Sequence, residues 1–262
     1  MSDLFESGGL EQDAPRPLAD RLRPKSLADV VGQEHLLGPD GPVGRMVAAG
    51  RAHSIILWGP PGTGKTTIAR LLSSAFKLQF EQLSAVFSGV ADLKKTFEAA
   101  RQRRKMGQGT LLFIDEIHRF NRSQQDSFLP VVEDGTVVLV GATTENPSFE
   151  LNGALLSRAQ VLVLRRLDDA ALEKLLERAE AHYGEPLKLT PDARASLRAM
   201  ADGDGRYLLN LAEEVANLKI VAPLDPAGLM AAVQRRMPLY DKSREEHYNI
   251  ISAFHKSMRD SD

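Results

Sequence analysis

Gly59-Pro60-Pro61-Gly62-Thr63-Gly64-Lys65-Thr66 is the stretch that decides how this chain folds. It fits the pattern Gly-x-x-x-x-Gly-Lys-Ser/Thr, and its setting is the one that pattern requires. The apolar run at 54–58 ahead of it reads as a strand, and 65–75 behind it carries the spacing of an amphipathic helix. Glycines in such a turn let backbone N–H groups converge on phosphate oxygens, while the next helix adds the positive end of its dipole. Lys65 is expected to reach the β- and γ-phosphates of a bound nucleotide. Thr66 offers a hydroxyl to Mg²⁺, a cation that prefers oxygen ligands and retains waters. The candidate phosphate-binding set is therefore Gly59, Pro60, Pro61, Gly62, Thr63, Gly64, Lys65, Thr66 and Thr67. A chance glycine-rich turn is the competing reading, and a second signal weighs against it.

That signal is Leu111-Leu112-Phe113-Ile114-Asp115-Glu116, an apolar strand ending in two carboxylates. Such an ending places both acids at the carboxyl edge of the sheet, beside the phosphate loop. Asp115 suits Mg²⁺, and Glu116, one residue on, can polarise a water against the γ-phosphate. A solvated acid at a strand end is the plain alternative for Glu116. A small-molecule kinase fits poorly, because simple P-loop kinases usually lack this second acid.

Further aliphatic runs at 79–83, 110–114, 137–141 and 161–164 read as strands, with helical periodicity between them, as at 90–104. Runs that are apolar on nearly every residue belong to strands covered on both faces. The expected fold class is α/β: a doubly wound parallel five-stranded sheet over residues 17–166, then a small helical lid over 167–238. In the lid, helical spacing at 168–183, 191–201, 205–217 and 225–236 is broken by glycines and prolines. Residues 1–16 are polar and acidic and read as a mobile arm. Residues 239–262 read as the first helix of a further domain, cut short.

A chain of 262 residues can hold one large domain or two ordinary ones. Its formal net charge of −2 gives no global attraction to nucleic acid, so any such contact must come from a local patch. The absence of cysteine excludes disulfides, thiolate metal sites and cysteine nucleophiles. Neither a signal-peptide pattern nor an apolar run near the roughly twenty residues of a membrane span is present, so the expectation is a soluble cytoplasmic protein without a membrane partner.

Beyond its two nucleotide motifs the chain resembles the AAA+ class of P-loop ATPases at further points, in the order that class displays them. The strand at 137–141 runs into Ala142-Thr143-Thr144-Glu145-Asn146, where a polar residue resembles sensor 1; Thr144 is favoured and Thr143 is second, with an N-cap or turn role as the alternative. Leu156-Ser157-Arg158 resembles a clamp-loader motif whose arginine enters the neighbouring subunit's site, which implies that Arg158 is an arginine finger rather than a structural ion pair. Gly203-Asp204-Gly205-Arg206 opens a lid helix as sensor 2 does, which implies that Arg206 reports the γ-phosphate. Leu22-Arg23-Pro24 with Val30-Val31-Gly32-Gln33 resembles the segment that packs over adenine in clamp loaders. Val30 and Val31 would be apolar walls and Gly32 a point of close backbone approach. The cofactors so implied are ATP and Mg²⁺.

Two strings narrow the resemblance: His118-Arg119-Phe120-Asn121-Arg122-Ser123-Gln124-Gln125-Asp126 and Gly141-Ala142-Thr143-Thr144-Glu145-Asn146-Pro147-Ser148-Phe149-Glu150. Together they resemble the bacterial replication-associated recombination protein A family. That resemblance implies a DNA-dependent ATPase active at stalled forks, on forked, gapped or end-containing DNA, with single-strand-binding protein as a partner. It also implies a homo-oligomer associated with the nucleoid. Family members continue past Tyr240 into a long helical domain that carries oligomerisation, so a chain ending at Asp262 is expected to assemble poorly. Lys94, Lys95, Arg101, Arg103, Arg104 and Lys105 form the densest basic stretch and are the candidate DNA contacts, with a merely solvated helix face as the alternative. An ATP-gated scaffold with slow turnover is the other function class that these features allow.

Overall fold

The computed structural model describes residues 16–218 and 220–234. The expected arm, up to residue 15, and the expected further helix at 239–262 lie outside the described residues. Among the described residues three short helices come first: α1 (Leu18–Arg21), α2 (Glu34–Leu37) and α3 (Pro42–Ala48), with a 3₁₀ turn at Leu27–Asp29. Then β1 (Ile55–Trp58), α4 (Lys65–Ala75), β2 (Gln79–Ser84), α5 (Val90–Lys105) and β3 (Thr110–Asp115) alternate. After a 3₁₀ turn at Ile117–Arg119 come α6 (Arg122–Asp126), α7 (Leu129–Glu133) and β4 (Val137–Thr143). Next are α8 (Pro147–Glu150), α9 (Gly153–Leu156) and β5 (Gln160–Val163). The lid is α10 (Asp169–Tyr183), α11 (Pro191–Ala201), α12 (Gly205–Ala216) and α13 (Pro226–Gln234).

The five strands form one parallel sheet in the order β2-β3-β4-β1-β5. The register sets Ile55 beside both Val140 and Gln160, and Thr110 beside Val137. β3 shows why the apolar runs are continuous. Leu111 and Phe113 pack on one face with α3 and α4, and Leu112 and Ile114 on the other with α5, α7 and α9. Alternation along a strand is thus hidden, because both faces are dry. β2 departs from this pattern. It lies at the sheet edge, is only half-buried, and carries Gln79, Glu81 and Gln82. A polar edge is how a sheet discourages further strand pairing.

The lid has its own core, built from Leu172, Leu176, Leu197, Leu208, Leu211 and Leu229. Its helices begin where side chains can satisfy free N–H groups. Asp168 accepts from Ala171, Thr190 from Ala193 ahead of Pro191, and Asp204 from Tyr207. Gly184 closes α10 in the left-handed region. Leu164 belongs to the sheet core and Leu167 to the lid core, so the chain changes body within three residues. The expected α/β stretch 17–166 is not uniform, however. Leu18 and Val31 pack into the lid core, and α1 is tied to α12 by the Arg21–Glu213 ion pair and by Leu18 N–H donating to Glu213. Among the described residues no helix is long and apolar enough to cross a membrane.

Candidate active site

The sheet order places three strand ends side by side. The phosphate loop follows β1, the two acids close β3, and the Thr143–Thr144 pair ends β4 between them. Gly62 and Gly64 hold φ of 68° and 96°, so the loop's curvature rests on residues that tolerate the left-handed region. Lys65 Nζ donates to the carbonyls of Gly59 and Pro60 at 2.7 and 2.8 Å, and Thr63 Oγ1 donates to Pro60 O at 2.9 Å. Burial pushes the Lys65 ammonium below its usual range, the carboxylates of Glu116, Asp115 and Asp204 push it back up, and Arg206 adds to the depression.

A cavity of about 580 Å³ opens over this edge. Of the expected nucleotide set, Pro61, Gly62, Thr63, Gly64, Lys65, Thr66, Thr67, Val30 and Val31 line it, as do Asp115, Glu116, Thr144 and Arg206. Gly59, Pro60 and Gly32 do not line it. Thr66 and Asp115 give an oxygen-only donor pair, which fits Mg²⁺ completed by phosphate oxygens and waters.

Glu116 sits in the left-handed region at φ 52°, ψ 46°, a conformation that costs a non-glycine residue on the order of 1 kcal/mol or more. The turn drives Ile117 into the core, fully buried, and brings His118 back against the acid. Glu116 Oε2 lies 3.3 Å from His118 Nδ1 and 3.5 Å from Thr144 Oγ1. The two threonines divide. Thr143 is fully buried, bonded to His118 Nδ1 at 3.0 Å and to both backbone groups of Glu145, whereas Thr144 is exposed toward the cavity.

The lid touches the phosphate loop directly, with Gly205 N–H donating to Gly62 O at 3.3 Å. A Cβ at Gly62 would stand 1.8 Å from Asp204 Oδ1, so only glycine permits this approach. At the opposite end Val30 and Val31 are nearly buried. Gly32, at φ 75°, lies so close to the lid that a Cβ would meet Leu167 Cδ2 at 2.6 Å. Gln33, fully buried, pairs its side-chain amide with the backbone of Arg165, donating to the carbonyl at 2.8 Å and accepting from the N–H at 3.1 Å. That amide pins the segment to the stretch that leads from β5 into the lid.

Arg158 is not brought to this cavity. Its Nε donates to Glu133 at 2.6 Å, and Nη1 donates to Ala154 O and Ser157 Oγ, on an exposed surface. Among the candidate DNA contacts, Lys94, Lys95, Arg101 and Lys105 are exposed on α5. Arg103 is half-buried in an ion pair with Glu81, and Arg104 is held by Asp134 at 3.5 Å and Thr136 at 3.3 Å. Four of the six cations therefore face solvent without such a tie.

One buried amide joins the two strings that narrowed the resemblance. Gln125 donates to Phe120 O at 2.9 Å and Glu150 O at 3.1 Å, and accepts from Asn152 N–H at 2.8 Å. Sequence reasoning gave no role to Gln125, to the Gln33–Arg165 pair, or to His118 beyond its place in a string. Only the glutamines' position within otherwise recognised segments pointed to them.

A phosphate loop, paired acids and a polar strand end on a 2-3-4-1-5 sheet, roofed by a helical lid, define a P-loop ATPase of the AAA class. The family model for the ATPase family associated with various cellular activities (AAA) matches residues 55–167, and that for the AAA C-terminal domain matches residues 182–259. Within this class the chain belongs to the replication-associated recombination protein A family. It is 44% identical over 256 residues to replication-associated recombination protein A of Escherichia coli (strain K12), covering 94% of this chain and 57% of that protein. It is 40% identical over 277 residues to ATPase WRNIP1 of Dictyostelium discoideum, covering 94% of this chain and 31% of that one. The chain thus spans a little over half the length of the bacterial relative. Among solved structures, the Thermotoga maritima RuvB Holliday junction branch migration motor superposes with a TM-score of 0.67 at 25% identity, over 81% of this chain and 72% of that one.

Proposed function

We infer that this chain is the nucleotide-hydrolysing part of a DNA-dependent ATPase that remodels forked, gapped or end-containing DNA at stalled replication forks. The observation that carries the hydrolytic part is the convergence of Lys65, Thr66, Asp115, Glu116, Thr144 and the lid's Arg206 on one cavity. ATP is the proposed ligand, its adenine against Val30 and Val31 and its phosphates over the loop. Mg²⁺ held by Thr66 and Asp115 would neutralise charge on the β- and γ-phosphates. Lys65 leaves its two carbonyls for the phosphate oxygens. Glu116 takes the proton of the attacking water, and Thr144 steadies that water between the acid and the γ-phosphate.

Arg206, on the first turn of α12, binds the γ-phosphate and so couples nucleotide state to lid position. Arg158, outside its own cavity, acts in the site of a neighbouring copy. Hydrolysis is therefore fastest in an assembly, and such a cation is worth roughly a thousandfold in rate or more. Lys94, Lys95, Arg101 and Lys105 supply sequence-blind phosphate contacts that weaken steeply with salt. Single-strand-binding protein as a partner, and a cytoplasmic, nucleoid-associated setting, follow from the family rather than from the site.

A second reading, an ATP-gated scaffold with slow turnover, is favoured by the position of Arg158 alone, since a solitary copy lacks that cation in its site. Steady-state ATP hydrolysis with and without forked or gapped DNA separates the two. Stimulation by DNA supports the remodeller, and an unchanged slow rate supports the scaffold. Lys65→Ala is expected to abolish nucleotide binding, and Glu116→Gln to bind ATP and hold it; normal turnover by the latter would remove Glu116 from its role.

A further inference from the structure

His118 stands outside the nucleotide motifs, yet its ring touches both the acid and the strand that ends beside it. Nδ1 is 3.3 Å from Glu116 Oε2 and 3.0 Å from Thr143 Oγ1. The side chain is only 13% exposed. One placement of the protons gives every contact here a donor and an acceptor. The single hydroxyl proton of Thr143 goes to Glu145 O at 3.2 Å, while the same oxygen accepts from Glu145 N–H at 3.0 Å. With the hydroxyl proton on Glu145 O, and with a carboxylate able only to accept, the Nδ1–H tautomer is the one that offers a donor to both neighbours.

We propose that His118 is a positioning residue for ATP hydrolysis: its Nδ1–H fastens one carboxylate oxygen of Glu116 to the buried end of β4 and aims the other at water. This rests on the hydrolytic reading above. The contacts from His118 and from Thr144 both fall on Oε2, which assigns Oε1 to the reaction. As the water oxygen bonds to the γ-phosphorus, its proton passes to Oε1. The bond from that phosphorus to the β–γ bridging oxygen breaks, leaving ADP and inorganic phosphate, and His118 keeps its proton throughout. The left-handed turn at Glu116 is what makes the arrangement possible, because it folds residue 118 back over residue 116. Thr143, adjacent to Thr144, makes the end of β4 a common anchor for the acid and the γ-phosphate sensor.

The test uses the full chain and three variants. A long-range ¹H–¹⁵N correlation spectrum, with the His118 signals assigned by their loss in His118→Asn, is expected to show the Nδ1–H tautomer. His118→Ala is expected to lower kcat by about 30-fold with KM changed less than about twofold, the signature of a displaced catalytic group. His118→Asn, whose amide nitrogen takes the place of Nδ1, should recover to within about threefold of the parent, while His118→Gln, whose nitrogen reaches the Nε2 position, should not. An Nε2–H tautomer, a parental kcat in His118→Ala, or equal rates in the Asn and Gln variants would each overturn the role of His118 in an otherwise active ATPase. A parent chain that binds ATP but never turns it over, with or without DNA, would instead overturn the hydrolytic reading itself.

Discussion

Val30 and Val31 are neighbours in the chain and belong to different hydrophobic cores, Val30 to that of the sheet and Val31 to that of the lid. The segment proposed to hold adenine is therefore a bridge between the two bodies that close on the nucleotide. Gln33 anchors its far end. A Gln33→Leu chain keeps the volume but leaves the Arg165 N–H and C=O without their partners. The expected cost is about 1–3 kcal/mol in urea unfolding. ATP affinity is expected to drop as well; titration calorimetry that finds affinity unchanged would mean the segment does not depend on this clamp.

The two threonines at the end of β4 should respond in opposite ways. Thr143→Val strips three contacts from a fully buried hydroxyl and should cost about 1–3 kcal/mol of stability. Thr144→Val, exposed at the cavity, should leave stability within about 0.5 kcal/mol and lower kcat by roughly tenfold or more. Thermal melts and steady-state rates on the two variants decide which is the sensor.

Arg158→Ala should bind ATP with the parental affinity, since the arginine lies outside its own chain's cavity. Hydrolysis that rises with protein concentration should vanish. Mixing this variant with a Lys65→Ala chain should restore part of the rate, because the Lys65→Ala chain lends its Arg158 to the intact phosphate loop of its neighbour; no restoration at any ratio would argue for a purely local role in the pair with Glu133.

Acid should loosen the lid through Glu180. Burial alone would raise its carboxyl, but hydrogen bonds from Arg194 and from Leu187 N–H outweigh burial and hold it below its ordinary value of 4.5. A carboxylate lowered by folding contributes stability that is fully present above 4.5 and is lost as pH falls through the folded value. Glu180→Gln should therefore cost about 2 kcal/mol at pH 7, Arg194 retaining Glu173, and the gap to the parent should narrow as the pH is taken below 4.5. Parallel melting curves on both sides of that pH would refute the assignment.

The parts of the site that were legible in the sequence are those written in contiguous residues. The phosphate loop and the acid pair each combine a strand, a turn chemistry and a fixed spacing, so local physics identifies them. The central strands were equally plain because both their faces are apolar. What remained hidden depends on partners far along the chain. Gln33 meets Arg165 across 132 residues, Leu18 and Val31 join a lid core built mostly after residue 167, and Arg103 and Arg104 find acids on other elements. The choice between Thr143 and Thr144 was hidden for another reason. Successive residues at a strand end point in opposite directions, and only the fold says which direction holds the cavity.

Gln125 gives the family strings a meaning beyond recognition. Its amide bonds to Phe120 in the first string, to Glu150 in the second, and to Asn152 just after it, so the two stretches form a single stitched block behind the strand ends. A change in one stretch alters the fit of the other. Over descent they should drift as one heritable unit, and a chimera that takes either stretch from a distant ATPase without its counterpart should be the least tolerated graft in this half of the molecule.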